Sequence, residues 1–260
     1  MILARIARAL KDQNWLAVGI EFVIVILGVV IGFQVTAWNA DRASQVRADA
    51  YLDRILVDLQ TDAHHFTIDR DFRLTVLASG EQALATTDAT GRVGEDWQVV
   101  RAFWNASQMS GRPNINSTYV ELTGAGELDL IVSSDLRGAL TQYYTNTANV
   151  ALNEVPAYRV HVRGMIPLAI QRYLWASCYE ADGNVRQAFL DCPPPPGITE
   201  VSETAAALTG SAVLREELTF WMSAQDVAAL VLDSRRGRAL ALADQIQAIR
   251  AGNDREANTP

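Results

Sequence analysis

From Trp15 to Trp38 the chain is apolar on every side, whereas from Leu52 onward apolar residues recur among charged ones at a roughly seven-residue spacing. The first pattern predicts a helix surrounded by lipid, the second a helix with one buried face. The 24 residues from Trp15 to Trp38 extend about 36 Å as a helix, enough to cross a hydrocarbon core of about 30 Å. The two indoles sit where interfacial aromatic belts belong. Between Trp38 and Ala85 there is no proline and Gly80 is the only glycine. Leu52, Leu56, Leu59, Ala63, Phe66, Leu74, Leu77 and Leu84, with Ile55 beside them, define the expected apolar stripe, with Asp, Arg and Gln on the other faces.

The later chain reads as shorter helices. Gly91 and Gly94 mark a turn over Thr86–Asp96, an apolar helix is expected over 97–110, and GRPN at 111–114 is a turn. A short helix over Thr118–Thr123 breaks at Gly124 and Gly126, and Leu128–Val132 is a compact apolar stretch. Ser133 or Ser134 caps the next helix, which buries Leu136, Leu140, Tyr143 and Tyr144 and runs to about Asn153. Pro156 and Pro167 punctuate a helical stretch ending near Trp175. No segment alternates convincingly as a strand. Pro193–Pro196 is a stiff link, and Thr199–Gly210, small and polar, holds at most one turn. Two last helices follow, Ala212–Met222 and Gln225–Ala251, the second burying Leu230, Leu242, Ile246 and Ile249. The expected fold is all-α: a single transmembrane helix continuing into a long amphipathic helix and an extracytoplasmic helical bundle. Its parts are a cytoplasmic N-terminus (1–14), the span (15–38), the helical domain (39–251) and a solvated tail (252–260).

Charge orients this picture. Arg5, Arg8 and Lys11 against Asp12 give the first fourteen residues +2, so the formal −8 of the whole leaves −10 for the rest. Asp41, Arg42, Arg47 and Asp49 nearly cancel on the far side of the span, so the positive-inside rule places the N-terminus in the cytoplasm of a bacterium and the bulk in the periplasm. A cleaved signal peptide competes, because Val35–Ala37 resembles a cleavage site; the length of the run, Glu21 and Gln34 weigh against it. An acidic domain disfavours nucleic acid as a partner. Cys178 and Cys192, outside the cytoplasm, are expected to form a disulfide rather than two buried thiols. Closing a loop of about fifteen residues contributes roughly 3 kcal/mol in the chain-entropy view.

Within the span, Glu21, Gly28, Gly32 and Asn39 fall within about 40° of one line at 100° per residue. Gly28 and Gly32 form a GxxxG, which admits a second backbone closely. Glu21 then either bonds across a helix–helix contact, snorkels to the headgroups, or lies on an ion path. The lipid bilayer, and a membrane subunit or a second copy of this chain through that face, are the expected partners.

No catalytic, cofactor or metal motif accompanies these features. His64–His65, with Asp62 and Asp69 nearby, point about 100° apart on a helix and read as a solvated face rather than a metal site. His161 reads as a hydrogen-bonded structural histidine, and Gly124-Ala-Gly126 as a corner rather than a phosphate cradle.

Two blocks carry a resemblance. EFVIVILGVVIGFQVTAWNADR running into YLDRILVDLQTD (Glu21–Asp62), and YVELTGAGELDLIVSSDLRGALTQYY (119–144), cover about a quarter of the chain. They resemble an uncharacterised bacterial family of single-span membrane proteins, a domain of unknown function. In that family a Glu-led span ends in Gln, Trp and Asn, and an internal "EL...G.L.LI...LR..L..YY" recurs. The resemblance implies an N-terminal anchor and a helical extracytoplasmic domain; the Cys178–Cys192 loop and the proline run are not part of it. The function expected is a non-enzymatic accessory or scaffolding subunit of an inner-membrane assembly. The alternative is a periplasmic sensor or ligand-binding module acting through a partner, which fourteen cytoplasmic residues weaken; an envelope hydrolase ranks third.

Overall fold

The computed structural model describes residues 15–88, 91–92, 94–146, 155–183 and 186–257. Arg5, Arg8 and Lys11, and the helix expected over 147–153, lie outside the described residues. The chain is mostly helical, as the sequence pattern implies, and divides into two compact units at Leu52/Asp53.

The first unit is helix α1 up to Leu52, part of a single helix over Trp15–Ala85. Absence of proline and scarcity of glycine let it run unbroken. By length and composition α1 is the one described helix able to cross a membrane. Every side chain from Gly19 to Asn39 is exposed, Phe22, Ile24, Ile31 and Phe33 among them.

In the second unit α1 continues to Ala85, where Thr86 turns back to donate to the Ala83 carbonyl at 2.6 Å. Two-residue strands β1 (Thr87–Asp88) and β2 (Gly91–Arg92) pair antiparallel. They lead to α2 (Asp96–Ala106), whose buried residues surround the helix. A helix buried on all sides must still satisfy its last carbonyls. Trp221 and Tyr158 do so, donating to Ala106 and Phe103 carbonyls at 2.8 Å each.

After the turn come α3 (Ser117–Gly124), a 3-10 turn (Leu128–Leu130) and α4 (Ser134–Asn146). Gly126 takes φ 70° at the corner between them, a conformation that favours glycine. Ser133, not Ser134, caps α4, accepting from Leu136 N–H at 3.2 Å. The prolines split the next stretch in two, α5 (Ala157–Met165) and α6 (Leu168–Ser177), each preceded by its proline.

Four sequence expectations need correcting. The cysteine loop contains a hairpin, β3 (Tyr179–Asp182) with β4 (Arg186–Phe189), turning at Gly183. Its strands are too short to show clear alternation. Val201–Gly210 is a full helix, α7, because Thr204, Ala205 and Leu208 bury against the core. The two final helices are one, α8 (Ala212–Ala257), which extends into the expected tail. No breaker separates Met222 from Gln225, and both are buried. On α8 Leu242 and Ile246 are buried as expected, but Leu230 is 71% exposed and Leu74 of α1 is exposed as well.

Within this unit α8 runs antiparallel to α1. Arg250 bonds Asp53, Arg70 bonds Asp233 at 2.7 Å, and Arg73 bonds Gln225 at 3.0 Å. At Gly80 the two helices approach closely: a Cβ there would lie 1.8 Å from Met222 Sδ.

Candidate functional site

Three places in the chain carry more than packing. The first is the face foreseen in the span. Glu21, Gly28, Gly32 and Asn39 are all exposed, and a Cβ at Gly28 or Gly32 would meet nothing within 4 Å. Thr36 folds its hydroxyl back onto the Gly32 carbonyl at 2.9 Å, so it does not compete with that face for a partner.

The second is a buried polar seam that the sequence reading placed in solvent. Extending the heptad through α1 gives one line of Leu52, Leu59, Phe66, Arg73 and Gly80 and another of Ile55, Asp62, Asp69, Val76 and Ala83, all buried. Asp62, Asp69 and Arg73 therefore occupy core positions. They are 1%, 2% and 2% exposed. Charges there require partners, and each has them. Asp62 accepts from the Ile115 backbone N–H at 2.9 Å and the Tyr143 hydroxyl at 2.8 Å. Asp69 accepts from the Ser110 hydroxyl at 2.6 Å and Arg112 Nη2 at 2.8 Å. Arg73 donates to Gln225 Oε1 at 3.0 Å and to the Ser110 carbonyl.

The GRPN turn region is thus held by three α1 side chains. Burial raises the Asp62 carboxyl above its ordinary value, against the lowering effect of its two hydrogen bonds. Burial, with the Asp62 charge, raises Tyr143 far enough to keep it a donor. Arg73 is pushed down by burial, partly restored by Asp69. Asp62, Asp69 and Arg73 are each bonded to partners from other elements, although the Gln225 Nε2 is buried without an acceptor, and this cross-bonding suits a locked joint between helices.

The third place lies where α2, α5, α6 and the hairpin meet. Arg159 and Arg163, one turn apart on α5, both donate to Ser107: Arg159 to its carbonyl, Arg163 Nε to its hydroxyl at 2.8 Å. The Arg163 guanidinium carbon lies 4.4 Å from the Trp104 ring centre and 5.1 Å from that of Trp175. Tyr179 stands edge-on to Trp175 at 4.8 Å, and donates to Gln187 at 2.5 Å. Burial and the neighbouring Arg159 push Arg163 down to about 9.

Cys178 and Cys192 form the expected disulfide, with Cα atoms 5.3 Å apart, at the base of that hairpin. Both are buried, and Trp97 donates to the Cys192 carbonyl at 2.9 Å. Arg101 adds bonds to the Leu190 carbonyl at 2.9 Å and to Asp191 at 2.6 Å. The bridge therefore fixes the base of the hairpin, where β3 presents Tyr179 and β4 presents Phe189.

The histidines fall out as follows. His64 is exposed, His65 is half-buried, and their ring centres lie 6.3 Å apart. His161 Nδ1 pairs with Glu217 Oε2 at 3.1 Å, the structural role expected of it. Among the described residues no three His, Cys, Asp or Glu side chains are grouped to hold a metal ion. The seam was recoverable from sequence by continuing the heptad across polar residues; the Arg159–Arg163 site, assembled from distant segments, left no such signal.

No family model matches the chain, and no curated protein or solved structure matches it either.

Proposed function

We propose that this protein is a single-span bacterial inner-membrane protein, N-terminus in the cytoplasm, whose helical domain lies in the periplasm and serves as a non-enzymatic accessory or scaffolding subunit. The observation that carries the reading is the open Glu21–Gly28–Gly32–Asn39 face, with no side chain near either glycine. In lipid, association is driven by close backbone approach and by polar contacts, because the tails are as apolar as leucine. Two glycines aligned with a carboxylate supply both. The buried seam supports a rigid arm, since Asp62, Asp69 and Arg73 tie α1 to the 110–115 loop, to Tyr143 and to Gln225. The disulfide suits an oxidising compartment, and the resemblance to single-span proteins of unknown function agrees with an anchor.

The test is purification of the tagged protein from native membranes in mild detergent, with mass spectrometry and site-specific crosslinking from Asn39 on the same face. A stoichiometric membrane partner, or a crosslinked second copy, is expected. Gly28→Leu and Gly32→Leu should abolish it without loss from the membrane, while Leu at Val29 or Val30 should not. Equal crosslinking in all four variants would refute the contact. A reporter active only in the periplasm, fused after Pro260, checks the orientation.

A further inference from the structure

We propose that Arg159 and Arg163 form a binding site for an oxyanion, the carboxylate or phosphate of a small ligand. The argument begins with what surrounds them. Two guanidinium groups converge on the two oxygens of one residue, Ser107, and both are half-buried. Among the described residues no carboxylate pairs with either, whereas Arg112 has Asp69 and Arg101 has Asp191. The residue both of them bond, Ser107, is neutral, and apart from each other they feel, among the described residues, only the hydroxyls of Tyr179 and, for Arg163, Tyr158. Arg163 Nη2 is buried and finds no acceptor at all.

Adjacent buried cations repel, and burial makes each dearer still without a counter-charge. The aromatic faces of Trp104 and Trp175 offset part of this for Arg163 but offer nothing to Arg159. An anion bridging the two forks would supply the missing charge, and planar, multiply donating guanidinium groups match carboxylate and phosphate geometry. Trp175, 42% exposed, places an open aromatic surface beside the pair, fit to receive an apolar body attached to the anion. The disulfide-held hairpin keeps Tyr179 against Trp175, so the wall is rigid. This site is independent of the membrane face and stands whether or not that face binds a partner.

The experiment uses the full chain in maltoside detergent, in phosphate-free buffer at fixed ionic strength set by sodium chloride. Inorganic phosphate, acetate and benzoate are the probes, each followed by equilibrium dialysis and by the thermal unfolding midpoint. At least one probe should bind saturably at one site and raise the midpoint. Preference for phosphate identifies a phosphate ligand; benzoate above acetate, with the difference lost in Trp175→Ala, identifies an aromatic carboxylate. Arg159→Gln keeps a donor to Ser107 and removes the charge, so it should fold and bind at least ten-fold more weakly. Arg163→Lys keeps the charge but loses the planar fork, and should also weaken binding. Absence of saturable binding by all three probes overturns the proposal. So does binding unchanged in Arg159→Gln and Arg163→Lys, which would put the anion elsewhere.

Discussion

Between Gly19 and Asn39, α1 exposes every side chain although nearly all are apolar; between Leu52 and Ala83 the same helix buries three charged ones. The contrast shows that residue type alone does not decide burial in this chain. In the first stretch nothing among the described residues covers the isoleucines and phenylalanines, and so large an apolar surface is at home only against lipid or a partner. In the second stretch heptad position decides. Asp62, Asp69 and Arg73 lie where an apolar residue is expected, and the loop at 110–115 with Tyr143 and Gln225 completes them.

The comparison breaks most sharply at Asp69. Asp69→Leu restores an apolar heptad residue yet leaves the half-buried Arg112 beside it without its carboxylate, and the buried Ser110 without its acceptor. Removing one partner of a buried pair costs roughly 3–5 kcal/mol, more than the added apolar burial returns. Chemical denaturation of the helical domain should show that loss. Asp69→Asn, which still accepts from Ser110, should lose less. If Asp69→Leu is neutral, the seam is not a structural lock.

Gly80 comes next. Alanine there gains about 1 kcal/mol of helix propensity, but its Cβ would fall on Met222 Sδ. Overpacking a core site typically costs about 1–3 kcal/mol, and a flexible methionine brings this to the lower end. A net destabilisation of order 1 kcal/mol is expected. Met222→Ala should cancel most of the clash in the double variant.

These two positions also show what the sequence made legible. The periodicity of Leu52, Ile55, Leu59, Ala63 and Phe66 located the buried stripe correctly. Beyond Phe66 the leucines lead to Leu74, which is exposed, whereas the register leads to Arg73 and Val76, which are not. A polar residue in a core heptad position sends the reader to the wrong face, because its partner lies far along the chain: 41 residues from Asp69 to Ser110, 152 from Arg73 to Gln225. The same applies to α8, where Gln225 and Arg235 are buried and Leu230 is not. The disulfide was legible because two cysteines close in sequence are a local signal; the helix at 201–210 was not, because packing against α2 stabilises it.

A smaller effect concerns protonation. Asp62 has its carboxyl raised by burial above the unfolded value near 3.8. The folded state thus holds that proton more tightly than the unfolded one, so this contribution is complete below the unfolded value and is lost as pH rises through the folded one. Comparing wild type with Asp62→Asn across pH 3 to 7, the stability difference should shift against wild type as pH rises. A difference independent of pH would mean that the hydrogen bonds from Tyr143 and Ile115 cancel the burial effect.

The smallest expected change in stability is at Gly28, and it is the most telling. Gly28 and Gly80 are glycines in one helix, but a Cβ meets nothing at the first and Met222 at the second. Alanine at Gly28 gains helix propensity with no clash, and leucine adds only apolar surface to an apolar segment. Denaturation of the helical domain should therefore be the same in Gly28→Leu as in wild type, within about 0.5 kcal/mol. If the face is a contact, crosslinking from Asn39 on the same face should nonetheless disappear, since leucine at residue 28 holds a neighbouring backbone away. Loss of association with unchanged unfolding separates an interface from a core. Unfolding that weakens as much as in Gly80→Ala would mean instead that residue 28 packs within the chain, and the contrast between the two stretches of α1 would fail.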